Sequence, residues 1–421
     1  MFGRSEVFVS LRKGVLGVAA GLTMVLMAAQ AVFAQAPAAT DKKWKDGEYD
    51  LYTSITKETQ PAKRLVLLDS WKQKFPTTDY EDARKQGYLQ TYSQILTAAY
   101  SQPTPDNLAL GQKVAADTLA NLDSLFASKP PSVSDENWAA AKKQVQLLAQ
   151  NMPGYAAWQQ KDLPKAEVEF IKSLQQDPNQ GQVSLWLYTV VAGQRKPEKT
   201  SLALYEFARA ATYDGPGALD AATRQKSKTD FENYYTKYHG SNEGMDALET
   251  QAKGSALPPD GFKVVSKAEL ARAAAEEANK KDEEFRKNNP MLALWMSIKT
   301  ALSAADGATY FDSSMKGAGL PGGAGGVTEF KGKLIEAKPA LRPKELILSV
   351  EDGTTPDVTL KLDAPLAGKM DPGAVIGFQG VATAYTVTPF NVTFDVEKAK
   401  ITGWKGAPAP VHHPVHHTAG Q

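Results

Sequence analysis

The sequence predicts a multidomain α plus β protein with an α-helical N-terminal part and a small C-terminal β domain. From Trp44 to about Ala252, apolar residues recur at intervals of three and four, the period of helices that bury one face. After Gly326 the period changes to two, in short segments rich in Val, Thr, Ile and Phe, which is typical of strands. The 421 residues exceed the ~100–200 residues of one domain, which agrees with several domains.

The composition excludes several classes of function. Hydrophobic residues make up 42% and charged residues 23%, which is ordinary for a globular protein. Lys and Arg total 48 against 47 Asp and Glu, so no overall basic field attracts nucleic acid or anionic lipid. The absence of cysteine excludes disulfides, thiolate metal ligands and cysteine nucleophiles.

Residues 1–34 predict a secretory signal peptide. An uncharged apolar run from Val15 to Ala29 follows three basic residues, and small residues allow cleavage after Ala34 or Ala36. The protein is therefore expected to be periplasmic or exported. An uncleaved membrane anchor is the alternative, because residues 15–34 form a stretch of 20 residues interrupted only by Gln30 among strongly polar types.

Residues 41–252 predict a series of helical hairpins. Prolines and glycines divide this region into helices of roughly 10–20 residues joined by short turns. Pro153 falls inside one of these helices, and we expect it to shorten that helix to about residues 153–160 with Asn151 as its cap.

Within this region a pattern of small and aromatic residues repeats. Ala166, Phe170 and Ser173 recur 37 residues later as Ala203, Phe207 and Ala210, with Gly154 and Gly181 before the two copies. This spacing resembles the tetratricopeptide repeat (TPR) family, whose fold is a right-handed superhelix of helix pairs.

The resemblance implies a ligand surface on the concave side, which the first helix of each pair forms. It places these candidate partner-binding residues there: Asn151, Tyr155, Trp158 and Gln159 in one unit, and Gln182, Leu185 and Thr189 in the next. None is a cation that would grip a terminal carboxylate, so an apolar or aromatic groove for a helix or extended segment is expected. The alternative is that Tyr155 and Trp158 simply pack against neighbouring helices.

Two further segments connect this region to the β domain. Residues 266–305 predict connecting helices, of which the first begins with the capping box Ser266-x-x-Glu269. Residues 317–326 contain six glycines and are expected to form a flexible linker.

Residues 327–404 predict a small five-stranded β-barrel. The candidate strands are Val327–Glu336, Glu345–Glu351, Asp357–Leu362, Ala374–Tyr385 and Asn391–Ile401. Phe330-Lys-Gly-Lys-Leu334, Leu360-Lys-Leu362 and the glycine-rich segment 372–381 resemble the OB-fold of bacterial envelope proteins; a small β-sandwich is the alternative. The whole chain resembles bacterial exported proteins that join tetratricopeptide repeats to a C-terminal OB-like domain, a resemblance that implies no particular chemistry.

The residues give little support to nucleic-acid binding or catalysis. Between residues 325 and 404, nine Lys and Arg are mixed with ten Asp and Glu, whereas single-strand binding needs a basic groove with stacking aromatics. No nucleophile elbow, zinc-protease motif or phosphate-binding loop is found in the sequence. His239, at an expected helix end, is interpreted as a helix-terminus residue.

The sequence therefore predicts a non-enzymatic scaffold of the bacterial cell envelope, without a cofactor, that binds an envelope protein or peptide. No nucleic-acid partner is expected, and a membrane is a partner only if the signal stays uncleaved. One alternative is a glycan-active hydrolase that uses carboxylates. Another is a metal-handling protein that uses the disordered tail 405–421, in which weak candidate ligands are His412, His413, His416 and His417.

Overall fold

The computed structural model describes residues 43–407 and has an α plus β architecture. The chain divides into two compact units between Leu270 and Ala271. The predicted signal peptide and the histidine-rich end lie outside the described residues.

The first unit is a series of helices in which each packs against the next, except that the last, Met245–Gly254, packs against Thr200–Thr212. Its helices are α1 Glu48–Lys57, α2 Pro61–Lys74, α3 Glu81–Ser101, α4 Pro105–Leu125, α5 Asp135–Gln159, α6 Leu163–Gln176, α7 Gly181–Gly193, α8 Thr200–Thr212, α9 Ala221–His239 and α10 Met245–Gly254. The turns between them are short, which places successive helices side by side.

The predicted break at Pro153 is wrong. Helix α5 runs without interruption from Asp135 to Gln159, with Pro153 inside it and with Ser134 as its N-cap. A proline inside a helix removes one backbone hydrogen bond, but residues on both sides of Pro153, such as Ala149, Met152 and Ala156, are fully buried. Packing of this continuous face outweighs the lost bond.

Helix α11, Lys267–Asn288, begins at the predicted capping box. The Glu269 backbone N–H donates to the Ser266 hydroxyl at 3.2 Å, and the Ser266 N–H donates to the Glu269 carboxylate at 2.9 Å. The helix has no buried residue. Its high content of Ala, Glu and Lys explains how it can form with little tertiary packing.

The second unit combines two more helices with a curled eight-stranded sheet. The helices are α12 Pro290–Ser303 and α13 Gly307–Tyr310, which is followed by a π-helical turn at Phe311–Met315. Helix α12, predicted only as a connection, buries Trp295, Ile298 and Leu302 in the core of the sheet. The expected linker 317–326 contains strand β1, Gly319–Leu320.

The other strands are β2 Phe330–Lys338, β3 Glu345–Ser349, β4 Val358–Leu362, β5 Val375–Phe378, β6 Gly380–Val387, β7 Phe390–Val396 and β8 Ile401–Thr402. Their order in the single sheet is β1-β6-β7-β4-β3-β2-β5-β8. The count of five is therefore too low, because two short strands extend the sheet and one expected strand divides in two.

The division lies at Gln379, between β5 and β6. The Gln379 side chain donates to the Thr328 carbonyl at 2.7 Å, and its backbone N–H donates to the Lys400 carbonyl at 3.3 Å. At Gly380, a Cβ would lie 2.6 Å from a methyl group of Val396, so only glycine permits this approach. Because β5 pairs with β2 while β6 pairs with β7, this bend curls the sheet.

Candidate functional site

Asn151, a predicted partner-binding residue, belongs to a buried hydrogen-bond network between α5, α6 and the start of α7. Its side chain is 9% exposed, and its amide donates to the Gln180 carbonyl oxygen at 2.8 Å. The Ser173 hydroxyl donates to the Asn151 carbonyl oxygen, and Gln180 donates to the backbone carbonyl of Ser173 at 3.1 Å. Asn151 therefore holds the helices together rather than facing solvent.

Tyr155 lies in an aromatic cluster inside the helical unit. It is 5% exposed, and its hydroxyl donates to the Tyr100 carbonyl at 3.0 Å. The Tyr155 ring lies 4.6 Å from the Tyr100 ring and 5.7 Å from the Trp186 ring, between centroids. Tyr155 therefore packs against neighbouring helices, which is the alternative that the sequence left open.

The other predicted residues are half-buried and keep part of their side chains accessible. They are Trp158 and Gln159 on α5, and Gln182, Leu185 and Thr189 on α7; we call them the α5–α7 surface. The two helices meet through Trp158 and Trp186, whose rings lie 6.4 Å apart. The Thr189 hydroxyl donates to the Leu185 carbonyl at 2.8 Å, a bond within its own helix.

Two tyrosines that sequence reasoning did not place on this surface continue it toward α9. The half-buried Tyr188 stacks on Phe207 at 3.9 Å between ring centroids, and lies 6.3 Å from the half-buried Tyr234. Burial, followed by the nearby Tyr234, raises the pKa of Tyr188, so its phenol remains a neutral hydrogen-bond donor. The spacing of Leu185 and Tyr188, three residues apart on one helix, is the signal that predicts a shared face.

The interior of α8 holds a carboxyl group whose acidity is strongly perturbed. Glu206 is fully buried, and neither of its carboxyl oxygens has a hydrogen-bond partner. Burial raises its pKa to about 8, while Ser184 and Arg209 act in the opposite direction. Because it is fully buried, Glu206 is not part of the α5–α7 surface.

Arg209, one turn after Glu206, is committed to backbone carbonyls. Its guanidinium donates to Ala252 and Ser255 at 2.8 Å each and to Pro178 at 2.7 Å. These bonds tie the turn before α7 to the C-terminal end of α10. Arg209 is therefore a structural cation, and it does not form a hydrogen bond with Glu206.

The described part contains one histidine and no group of acidic side chains suited to a metal. No cluster of three or more His, Cys, Asp or Glu side chains that could hold a metal occurs between residues 43 and 407. His239 is the last residue of α9, as expected, but its Nδ1 lies 2.8 Å from the carbonyl of Val265, a residue outside that helix. The four histidines of the tail lie outside the described residues.

Charges on the sheet alternate in sign. Lys338 is opposite Glu345, Glu345 is opposite Lys361, and Lys361 is opposite Asp395. Opposite charges on neighbouring strands attract each other, so this row stabilises the sheet.

Similarity to other proteins does not add to this picture. No family model, curated protein or solved structure gives a significant match to the chain. Within residues 43–407, no helix combines the length and the apolar character that crossing a membrane requires.

Proposed function

We propose that the chain is a non-enzymatic interaction scaffold of the bacterial cell envelope, and that the α5–α7 surface binds a protein or peptide partner. One observation carries this proposal. Trp158, Gln159, Gln182, Leu185 and Thr189 stay partly accessible on the last turn of α5 and on α7, where most of the other residues are buried. An accessible tryptophan beside amide and aliphatic side chains is typical of an interaction surface.

The repeated seam supports a TPR-like superhelix as the finer description of the helical unit. Ala166, Phe170 and Ser173 are buried in α6, and their counterparts Ala203, Phe207 and Ala210 are buried in α8. A Cβ on Gly154 would lie 2.7 Å from the Phe170 ring, so a small residue is required where α5 crosses α6. The two hairpins share this buried triplet on the second helix, but not the contact on the first, because Phe207 stacks on Tyr188 where Phe170 lies against Gly154.

The strand order supports an OB-like description of the sheet. Leaving aside the short β1 and β8, the order is β6-β7-β4-β3-β2-β5, and β4 pairs with β7 in parallel while the other long strands pair antiparallel. Because β5 and β6 lie at the two ends of this order and follow each other in the chain, the order favours the connectivity of a small Greek-key barrel.

The expected partner presents apolar and hydrogen-bonding groups rather than a concentrated charge. Trp158 offers an aromatic face, while Gln159 and Gln182 offer amides that can donate to and accept from an extended backbone. Thr189 contributes mainly its methyl group, because its hydroxyl already donates to Leu185. An extended segment or an amphipathic helix with aromatic or aliphatic side chains fits this surface.

Site-specific photo-crosslinking tests the surface directly. A photoreactive amino acid is placed at Gln159, Gln182 or Thr189 of the full chain, expressed in a bacterial host with an intact envelope. The matched control position is Val168, which is 51% exposed on α6, the second helix of the pair.

Crosslinks to a discrete envelope protein from the three surface positions, but not from Val168, are the expected result. A Trp158→Ala substitution should weaken that crosslink at least several-fold, since an exposed aromatic anchor contributes ~1–2 kcal/mol or more to binding. Equal labelling at Val168, or no product from the three positions, contradicts the proposal.

The envelope location is part of the same proposal, and it depends on the signal peptide. N-terminal sequencing of the protein recovered from the envelope is expected to begin at Gln35 or Pro37, the residues that follow the two candidate cleavage positions. A chain that keeps residue 1 and stays in the cytoplasmic fraction removes the envelope from the proposal.

A further inference from the structure

One long strand of the sheet leaves most of its outer edge open. Strand β6 pairs with β7 on one side; on its other side it meets β1 at Gly380 and Val381, and Lys316 at Ala382. Among residues 43–407, no segment pairs with the outer edge of residues 383–387, which we call the β6 edge. Alternate residues of an antiparallel strand direct N–H and C=O groups away from the paired neighbour, so this edge presents free backbone groups.

The β6 edge lacks most of the features that usually keep strand edges apart. Gly380–Val387 contains no charged residue and no proline, and Val387 is 49% exposed. An irregularity in the pairing with β7 lies at Thr383, the first residue of the open stretch, and Ala384–Val387 beyond it pair regularly with β7. An uncharged open strand rich in Thr, Val and Tyr is a template for another strand.

We propose that the β6 edge pairs antiparallel with the same residues of a second copy of this chain. The limits of the open stretch favour such a pairing: β1 covers its start, and the turn at Thr388 and Pro389 ends it. A two-fold axis near Tyr385 matches the two five-residue stretches to each other and leaves β1 of each copy undisturbed.

The charge pattern suits pairing with a second copy. A two-fold pairing brings the same side chains of both copies close together, so charges on the strand would repel each other across the interface. Strands β2, β3, β4 and β7 all carry charged residues, whereas β6 carries none. Centred on Tyr385, the pairing sets Thr383 opposite Val387 and Ala384 opposite Thr386, which are small and β-branched neighbours.

The expected dimer is weak and reversible. A pairing of five residues is small compared with the ~1,600 Å² of a standard stable interface. We therefore expect the full chain to change from monomer to dimer over the micromolar to millimolar range rather than to be an obligate dimer.

Charge substitution at the β6 edge tests the proposal by sedimentation velocity of the full chain at rising concentration. One variant carries Ala384→Lys and Thr386→Lys, and a second carries Ala384→Glu and Thr386→Glu. The control carries Leu341→Lys and Val375→Lys, which add the same charge at exposed positions of the same unit away from β6.

Wild type and control are expected to dimerise alike, each β6 variant is expected to stay monomeric, and an equimolar mixture of the two β6 variants is expected to recover the dimer. A monomeric wild type at every concentration, β6 variants that dimerise as wild type does, or a mixture that stays monomeric overturns the proposal. A monomeric wild type is also the result expected if another protein, or residues outside 43–407, cover the β6 edge.

Hydrogen exchange of the wild type keeps the test independent of how the variants fold. Amides of residues 383–387 should become more protected as the concentration of the full chain rises, while amides of β4 stay unchanged. Protection that does not depend on concentration overturns the self-pairing.

Discussion

The buried carboxyl of Glu206 makes the stability of the helical unit depend on pH. In the folded protein, burial raises the pKa of Glu206 from 4.5 to about 8. Between these two values the folded state binds more protons than the unfolded state, so the free energy of unfolding falls as the pH rises. This contribution is fully present below pH 4.5 and is lost by about pH 8.

The size of the effect follows from the two pKa values. One pKa unit corresponds to ~1.4 kcal/mol, so the full loss is roughly 5 kcal/mol, and roughly 3 kcal/mol is already lost at pH 7. Glu206→Gln removes the ionisation and keeps the shape of the side chain. The variant should therefore lose the part of the pH dependence between about pH 5 and 8 that Glu206 causes, and should be about 2–3 kcal/mol more stable than wild type at pH 7.

Urea unfolding at a series of pH values measures this pH dependence of stability. Hydrogen exchange of peptides from α8 shows that the change occurs in the helical unit. Glu198→Gln is the matched control, because Glu198 is exposed and lies two residues before α8. The control should follow wild type at every pH. If wild type and Glu206→Gln lose stability with the same slope between about pH 5 and 8, the carboxyl does not carry the proton that its burial implies.

Three further substitutions test other contacts. Arg209→Ala should lower the free energy of unfolding by about 3 kcal/mol, because it removes a charged donor from three carbonyls, of which that of Ala252 is buried. Arg209→Lys should recover part of this loss in urea unfolding. Gly154→Val should lower the free energy of unfolding by about 1–3 kcal/mol, since a Cβ at this position would lie 2.7 Å from the Phe170 ring. The double variant with Phe170→Leu should lose less free energy of unfolding than the sum of the two single variants. Asp357→Ala removes the acceptor of Trp295, 3.0 Å away, and should lower the thermal midpoint of the second unit and change its tryptophan emission, whereas an unchanged midpoint contradicts the role of this bond.

The sequence pattern alone was sufficient to predict a helical part followed by strands, but not the two short strands β1 and β8. Periods of three to four and of two depend only on which residues are apolar, and caps such as Ser266 with Glu269 act within one turn. The prediction of a helix break at Pro153 from the local sequence was wrong, because the buried face of α5 continues on both sides of the proline. The local sequence also did not indicate the division at Gln379, which depends on contacts with Thr328 and Lys400 far along the chain.

The candidate surface was only partly predictable. Asn151 and Tyr155 were expected beside Trp158 from repeat spacing, but the spacing does not say how deeply each side chain lies once neighbouring helices pack. Gln180 and Tyr100 decide this, because they supply the hydrogen-bond partners that hold Asn151 and Tyr155 inside. Tyr188 lies three residues after Leu185, a spacing that indicates a shared face, but its contact with Tyr234 of another hairpin appears only in the tertiary structure.

The amino-acid sequence by itself therefore determined the helical and strand-forming regions and the small-aromatic seam, since these depend on residues close together in the chain. The tertiary structure decided which seam and surface residues stay accessible. It also buried Glu206 and left one edge of β6 unpaired. Each of these depends on what packs against a residue from a distant segment, and only the assembled helices and sheet bring those segments together.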